Sequence, residues 1–188
     1  WALTPDDLFL FNEGNHFHLH HKLGGHPLPQ GGAAFTVWAP NAAAVSVIGD
    51  WNGWDPAQDP LAPVEASGLW TGVVPRAVPG ARYKFHLRSS VAQGTRLEKA
   101  DPVAARAEKP PRTASILWAD GKYPWGDADF LRDRGRRMGL SAPMSIYEVH
   151  LGSWCRVPED GDRPLTYREL APRLRDHVVA LGFTHVEL

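Results

Sequence analysis

Four acid–base side chains alternate with apolar residues on two short runs near the C-terminal end of the 188-residue sequence. Glu148 and His150 lie on the first run, and His185 and Glu187 lie on the second. Side chains two residues apart share one face of a strand, so parallel pairing of the two runs would gather all four groups on one side. Two carboxylates and two imidazoles in that arrangement could form an acid/base pair, a metal site or a buried hydrogen-bonded network.

A second cluster, of histidines, lies near the N-terminus. His16, His18 and His20 alternate with Phe17 and Leu19, and His21 follows. On a strand this spacing puts three imidazoles on one face, which is how a metal site could look. No cysteine or carboxylate pattern completes a ligand set, so we predict a hydrated strand face opposite a buried one, and no metal.

The elements that must position Glu148 and Glu187 form a strand, a loop, a helix and a strand. The run 144–154 contains the first strand and 183–188 the second, which is typical of a parallel α/β unit. Between them, Thr166 to Glu169 reads as a capping box, and Pro172 should kink the helix or make it restart. The helix should end at Gly182 and bury one apolar face: Leu170, Leu174, Val178 and Leu181.

Short alternating runs separated by Pro/Gly turns fill residues 30–118 and predict a β-sandwich. The candidate strands are 33–39, 44–48, 69–74, 82–88 and 114–118, with weaker pieces near Leu61 and Arg96. A helix from Thr4 to about Glu13 should precede them. The predicted organisation is an N-terminal segment (1–15), the sandwich module (16–122), a connector (123–143) and the strand–helix–strand segment (144–188).

Composition narrows the functional class. The net charge of −1, from 20 Lys and Arg against 21 Asp and Glu, argues against nucleic acid as a partner. No apolar run approaches the roughly 20 residues that span a bilayer, so we expect no membrane association. The single cysteine, Cys155, fits a reducing compartment and leads us to expect a cytoplasmic protein. Eight tryptophans are a high number, and flat aromatic faces can stack on sugar rings.

Four separated motifs in the sandwich region occur in an order that resembles a known module. They are WAPNA (38–42), VSVIGDWNGWD (45–55), GLW (68–70) and GARYKF (80–85). Together they resemble the glycogen-binding β-sandwich of carbohydrate-binding module family 48. The resemblance implies that Trp54 stacks on glucose and that Lys84 makes a polar contact beside it, whereas we interpret Trp51 and Trp70 as core residues. The loop 92–97 lacks the second stacking Trp of the sugar-binding members, which favours a packing role for the module.

The C-terminal runs carry a second resemblance. YEVHLGSW (147–154), LTYREL (165–170) and LGFTHVEL (181–188) resemble the start of the catalytic barrel in glycogen branching enzymes. The resemblance implies a mainly β chain, in which an immunoglobulin-like β-sandwich precedes the first β-α-β of a (β/α)8 barrel. It also implies that the parent enzyme moves α-1,4-glucan chains to 6-hydroxyls, without a cofactor, and that α-glucan (glycogen, amylose) and the rest of the barrel are its partners.

The same resemblance determines which residues we assign to the site. The family's catalytic carboxylates come from later strands, so we assign no catalytic residue here and expect the 188-residue chain to be inactive. For the same reason we favour the hydrogen-bonded network for Glu148 and its neighbours. Trp154, in the first βα loop, is our candidate for a residue lining the substrate cleft. Two alternatives remain: a debranching or trehalose-forming relative, and a non-catalytic glucan-binding or regulatory module.

Overall fold

The computed structural model of the chain describes residues 1–92, 94–119 and 123–188, in two compact units, Trp1–Lys122 and Tyr123–Leu188. Residues 93 and 120–122 lie outside the described residues. Two predictions involve them: the loop 92–97, which contains Gln93, and the end of the sandwich module at residue 122. Within the described ranges, no helix has the length and apolar character needed to cross a membrane.

The first unit begins with helix α1 (Pro5–Asn12), as Thr4 and Pro5 predict. Thr4 Oγ1 accepts a hydrogen bond from the amide of Asp7, whose carboxylate accepts one from the amide of Thr4, which completes a capping box. The buried Asp7 also lies 2.8 Å from His16 Nε2 and 2.9 Å from Lys22 Nζ. Burial raises the pKa of Asp7, but hydrogen bonds from Lys22, Thr4 and His16 outweigh it and hold that pKa well below its usual range.

The prediction of a histidine strand is wrong. The chain turns at Phe17 and His18 and continues as a 3-10 helix over Leu19–His21. His16 forms a hydrogen bond with Asp7 of α1, and the predicted alternation of exposed histidines with buried apolar residues is absent. Phe17 is 83% exposed instead of buried. The described residues include no His, Cys, Asp and Glu group arranged to hold a metal ion.

Nine strands, all paired antiparallel, follow in the described part of the first unit. Their order in the sheet is β1-β2-β5-β4-β3-β6-β9-β8, and β7 also pairs with β6. Six of them correspond to predicted strands or weaker pieces within a few residues, and 114–118 shortens to two residues, whereas β1 and β8 were not predicted. The bounds are β1 (Gly24–Pro27), β2 (Ala33–Trp38), β3 (Ala42–Gly49), β4 (Pro60–Val64), β5 (Leu69–Val74), β6 (Arg82–Ser89), β7 (Arg96–Lys99), β8 (Arg106–Ala107) and β9 (Ser115–Ile116).

The sheet curls around one apolar core. Pro60 and Leu61 of β4 pair with β3, whereas Ala62–Val64 pair with β5, and residues from both halves of the sheet share one core cluster. Phe35 from β2 packs edge-on against Tyr83 and Phe85 of β6, with ring centroids 5.1 Å and 6.5 Å apart. Such aromatic pairs add about 0.5–1.5 kcal/mol each beyond area burial. The result is a mainly β, curled antiparallel fold.

A buried carboxylate connects distant parts of this core. Asp101 Oδ2 accepts hydrogen bonds from Tyr83 Oη at 2.6 Å and from the amide of Gly25 at 3.1 Å. The amide of Asp101 in turn donates to Ser115 Oγ at 2.8 Å. Burial raises the pKa of Asp101 despite these hydrogen bonds, and burial together with the neighbouring carboxylate raises that of Tyr83. The network ties β1, β6 and β9 to the loop that carries Asp101.

The second unit contains the predicted strand–helix–strand. Strands β10 (Ile146–Glu148) and β13 (His185–Glu187) pair in parallel, and helix α4 (Tyr167–Ala180) lies between them in the sequence. Their shared core consists of Val149, Leu165, Leu170, Leu174 and Val178. Helix α2 (Ala128–Arg137) precedes them in the region predicted as a connector, and buries no residue. The loop after β10 contains α3 (Leu151–Trp154), the hairpin β11 (Arg156–Val157) and β12 (Arg163–Pro164), and a 3-10 turn over Pro158–Asp160.

Helix α4 confirms its predicted start and shortens its predicted apolar face. Thr166 and Glu169 form the capping box. The helix runs through Pro172 without restarting, and a kink at this residue stays a prediction. Leu181 is exposed, so the apolar face ends at Val178.

Candidate functional site

The turn after β3 holds Trp54 in an unusual backbone conformation. A 3-10 turn (Asp50–Asn52) leads into Gly53 and Trp54, both with φ of 63°. A side chain in this left-handed region costs about 1–2 kcal/mol. The buried Asn52 holds the turn, because its Oδ1 accepts hydrogen bonds from the amides of Gly49 at 2.9 Å and Trp54 at 3.1 Å.

Asn52 is itself anchored from the other side. Its Nδ2 donates to the carbonyl of Val47 at 3.0 Å and to Asp59 Oδ2 at 2.7 Å. Trp51 Nε1 donates to the same carboxylate oxygen at 2.9 Å, while its ring packs on the core beside Phe35. The interpretation of Trp51 and Trp70 as core residues agrees with their packing, since both lie partly buried against the core cluster.

Trp54 and Lys84 lie at the same end of the β3–β6 pair. Trp54 is half-buried and follows the 3-10 turn that begins at Asp50. Asp50 accepts two hydrogen bonds from the guanidinium of Arg82, at 3.0 Å and 2.9 Å, and these hydrogen bonds lower the pKa of Asp50 against the effect of burial. Lys84 lies two residues beyond Arg82 on the same face, half-buried and opposite the buried Ile48 of β3. The roles of Trp54 and Lys84 as substrate-binding residues stay predictions.

A shallow groove continues this face along the strands. Ser46 lies opposite His86, and Ala44 opposite Arg88. The groove has a volume of about 240 Å³ and is lined by Ala44, Val45, Ser46, Pro56, Ala57, Pro60, His86, Arg88 and Arg96. Sequence reasoning missed these polar residues, although the alternation of Lys84, His86 and Arg88 in a predicted strand was a usable signal.

Glu148, His185 and Glu187 share one face of the β10–β13 pair, whereas His150 lies beyond β10 at the start of α3, and the four groups form no network. The register pairs Glu148 directly with Glu187 and Ile146 with His185. Glu148, His150 and Glu187 are exposed. The two imidazoles bond to neighbours in sequence, His150 to Ser153 and His185 to Thr184, both at 2.8 Å. In the described part of the unit no hydrogen bond joins the four groups, so the predicted hydrogen-bonded network does not form among residues 123–188.

Trp154 lies in the short helix α3 and faces the interior of its own unit. Its Nε1 donates to Tyr147 Oη at 2.8 Å, and its ring lies edge-on to His177 with centroids 5.6 Å apart. Trp154 is half-buried against the core of the unit. Its assignment to a substrate cleft stays a prediction.

Comparison with known families bears on the first unit. Residues 22–104 match the model of Carbohydrate-binding module 48 (Isoamylase N-terminal domain), a range that includes Trp54, Lys84 and the groove. Residues 22–104 are a CBM48 domain. This CBM48 domain takes in strands β1 to β7, whereas β8 and β9 lie beyond it.

Relatives of high identity extend beyond the CBM48 domain. The chain is 48% identical over its whole length to a protein of Myxococcus xanthus, and 50% identical over 98% of its length to one of Albidiferax ferrireducens. Both are named 1,4-alpha-glucan branching enzyme GlgB. The chain spans 26% and 29%, respectively, of the length of these two relatives.

Solved structures resemble the chain in fold. The pullulanase SAP of Group B Streptococcus aligns with 87% of this chain and 23% of its own, with a TM-score of 0.62 and 20% identity. The same enzyme in complex with maltotetraose aligns over the same shares with a TM-score of 0.59. At 20% identity these likenesses support the fold of the CBM48 domain and its surroundings, and nothing about ligands.

Proposed function

We propose that this chain is the N-terminal part of a glycogen branching enzyme, which cleaves α-1,4-glucan chains and transfers them to 6-hydroxyls. The observation that carries the proposal is the identity of 46–50% to branching enzymes across both units, not only across the CBM48 domain. This level favours branching over the debranching and trehalose-forming alternatives. The single, half-buried Cys155 agrees with a cytoplasmic enzyme.

The proposal extends to the architecture. We infer that the curled sheet is an immunoglobulin-like sandwich. We also infer that β10, α4 and β13 form the first β-α-β unit of a (β/α)8 barrel. The parallel pairing of β10 with β13 around a helix supports the barrel. An apolar groove of about 570 Å³ between α4 and the end of β13 also supports the barrel, because the remaining strands and helices of a barrel would cover it. The groove is lined by residues that include Leu151, Leu170, Leu174, Val178, Val186 and Leu188.

The chemistry of the proposed enzyme divides between parts of the protein. Retaining transfer needs a carboxylate nucleophile and a carboxylic acid that serves as acid and then base. We expect both in the part of the relatives that this chain does not span. The CBM48 domain would contribute substrate capture, because the flat indole of Trp54 can stack on a pyranose ring and Lys84 can donate to its hydroxyls.

Linkage analysis tests the proposed activity. Full-length protein incubated with amylose should produce new α-1,6 linkages, whereas the 188-residue chain should leave the iodine spectrum of amylose unchanged. Hydrolysis of α-1,6 linkages, or formation of trehalose ends, would assign the protein to one of the other activities. A shift of the iodine spectrum by the 188-residue chain would refute the expected division of labour.

Retention in amylose-containing gels tests the binding face. We expect Trp54→Ala to weaken retention about fivefold or more, because aromatic stacking contributes on the order of 1 kcal/mol beyond area burial. Trp38→Ala is the matched control, since Trp38 is 57% exposed on β2, away from the β3–β6 face. Equal losses in both variants, or an absence of retention in the wild-type chain, would favour a packing role for the CBM48 domain.

A further inference from the structure

Two arginines face each other on the outer surface of the CBM48 domain. Arg88 of β6 lies directly opposite Arg96 of β7 in the antiparallel register, and both side chains are exposed. Residues paired in this way point to the same face. Both arginines line the groove beside Lys84, so the two guanidinium groups border one space.

This juxtaposition is unfavourable without a counterion. Like charges directly opposite each other destabilise a strand pair. Other arginines of the same unit are compensated: Arg82 by Asp50, Arg112 by Glu108, and Arg106 by the face of Trp118 at 4.5 Å.

Arg88 and Arg96 lack such compensation. Among the described residues, no carboxylate lies within 4.0 Å of either guanidinium group. The nearest acid in register is Glu98, which lies opposite His86 rather than opposite an arginine. An anionic ligand would remove the repulsion between the two arginines.

The groove has the size and the groups for a small oxyanion. Its volume of about 240 Å³ is below the roughly 300–1,000 Å³ of pockets that enclose drug-sized ligands. Ser46 adds a hydroxyl to the lining and His86 an imidazole. Such a groove can enclose one charged group while the rest of a larger molecule lies along the face toward Lys84.

We propose that the groove binds a phosphate monoester between Arg88 and Arg96. A monoester carries a charge of about −1.5 to −2 near neutral pH, which matches two guanidinium groups better than a carboxylate does. Arginine forks also match phosphate oxygens in bidentate geometry. The ester could be carried by a glucan chain or by a free small sugar phosphate, and the site does not depend on the proposed branching activity.

Calorimetric titration of the 188-residue chain at fixed low ionic strength tests the site. The probes are inorganic phosphate, glucose 6-phosphate, maltotriose and maltotriose phosphorylated at a 6-hydroxyl. We expect Arg96→Glu to weaken phosphate-bearing probes by about 10-fold or more, since a hydrogen bond to a charged group is worth at least that factor. Arg168→Glu, the same charge change at an exposed position of α4, should leave their affinity within about twofold of wild type.

Two further readouts keep the result interpretable. Arg96→Glu turns the like-charge pair into an ion pair with Arg88, so its melting temperature should equal or exceed that of the wild type. Its retention on neutral amylose should persist, because Trp54 is unchanged. Loss of phosphate binding with amylose retention intact therefore supports this site independently of the proposed function.

The probes distinguish the sources of the ester. Tighter binding of phosphorylated maltotriose than of glucose 6-phosphate would assign the site to a glucan-borne phosphate, and equal binding would assign it to free sugar phosphates. Wild-type chain that binds none of the phosphate-bearing probes, or Arg96→Glu protein that binds them with unchanged affinity, would overturn the proposal.

Discussion

Asn52 offers the sharpest test of how the binding turn is built. The Asn52→Ala substitution removes four hydrogen bonds: two that its Oδ1 accepts from the amides of Gly49 and Trp54, and two that its Nδ2 donates to Val47 and Asp59. A hydrogen bond contributes about 0.5–1.5 kcal/mol net, and a buried group left without a partner costs about 1–3 kcal/mol. Because the exposed side of the turn can admit water, we expect a loss of about 2–4 kcal/mol.

The assay is urea unfolding followed by tryptophan fluorescence, with amylose retention measured on the same samples. Asn41→Ala is the control, because Asn41 is exposed and should change the free energy of unfolding by no more than about 0.5 kcal/mol. Without Asn52, Trp54 keeps only the hydrogen bond from its amide to the carbonyl of Gly49 at 3.1 Å, so its left-handed conformation is less well held and retention should fall toward the level expected for Trp54→Ala. A loss below about 1 kcal/mol, or unchanged retention, would refute the reasoning.

The Asn52→Asp variant adds an internal check. It keeps the acceptor oxygen for the amides of Gly49 and Trp54, but it replaces the donor with a second carboxylate next to Asp59, where Nδ2 now lies 2.7 Å from Oδ2. Two adjacent carboxylates cannot both ionise cheaply. The variant should therefore be least stable at neutral pH and should recover as the pH falls. A loss of stability that does not change with pH would mean that the loss of the hydrogen-bond donor, rather than repulsion between the two carboxylates, destabilises the variant.

Two further predictions concern the core. Burial raises the pKa of Asp101 in the folded protein, so the stability it contributes is complete below the unfolded pKa and is lost as the pH rises through the folded one. The Asp101→Asn substitution should flatten the fall in the free energy of unfolding that begins as the pH rises above about 4, and parallel profiles of variant and wild type would contradict this. Gly25→Ala would place a Cβ 2.8 Å from Phe35 Cε1 and 2.9 Å from Tyr83 Oη, so it should cost about 1–3 kcal/mol in urea unfolding, whereas Gly126→Ala, with open space around it, should cost less than 0.5 kcal/mol or so. Equal effects of the two glycine substitutions would sink the packing argument.

Features fixed by neighbours in sequence could be predicted. The capping boxes at Thr4 and Thr166 need only residues three positions away, and both helices begin where those residues place them. The alternation of Tyr83 and Phe85 with Lys84 likewise located β6 and its buried face. In each case the determining interaction is local.

Features that depend on partners distant in sequence were missed. The position of His16 is set by its hydrogen bond with Asp7 of α1, and not by the alternation of polar and apolar residues in its own segment. Strand β1 lacks an apolar pattern, since it is held by pairing with β2 and by the contact of Gly25 with Asp101. The opposition of Arg88 and Arg96 needs the β6–β7 register, which composition does not reveal. Sequence could therefore propose Trp54 and Lys84 as binding residues, but it could not show the groove along β3 and β6.

The position of Asp101 and its partners also bears on where the folding unit ends. The family match stops at residue 104, yet Ser115 accepts the hydrogen bond of the Asp101 amide, and Leu117 is fully buried in the core. The contact between Gly25 and Asp101 spans 76 residues, so the first strand cannot complete its pairing environment until the chain beyond residue 101 exists. A fragment cut after residue 104 would remove β8, β9 and a core leucine. The part of the chain that must fold as one unit is therefore longer than the CBM48 match, and it includes the strand β9, which lies outside that match.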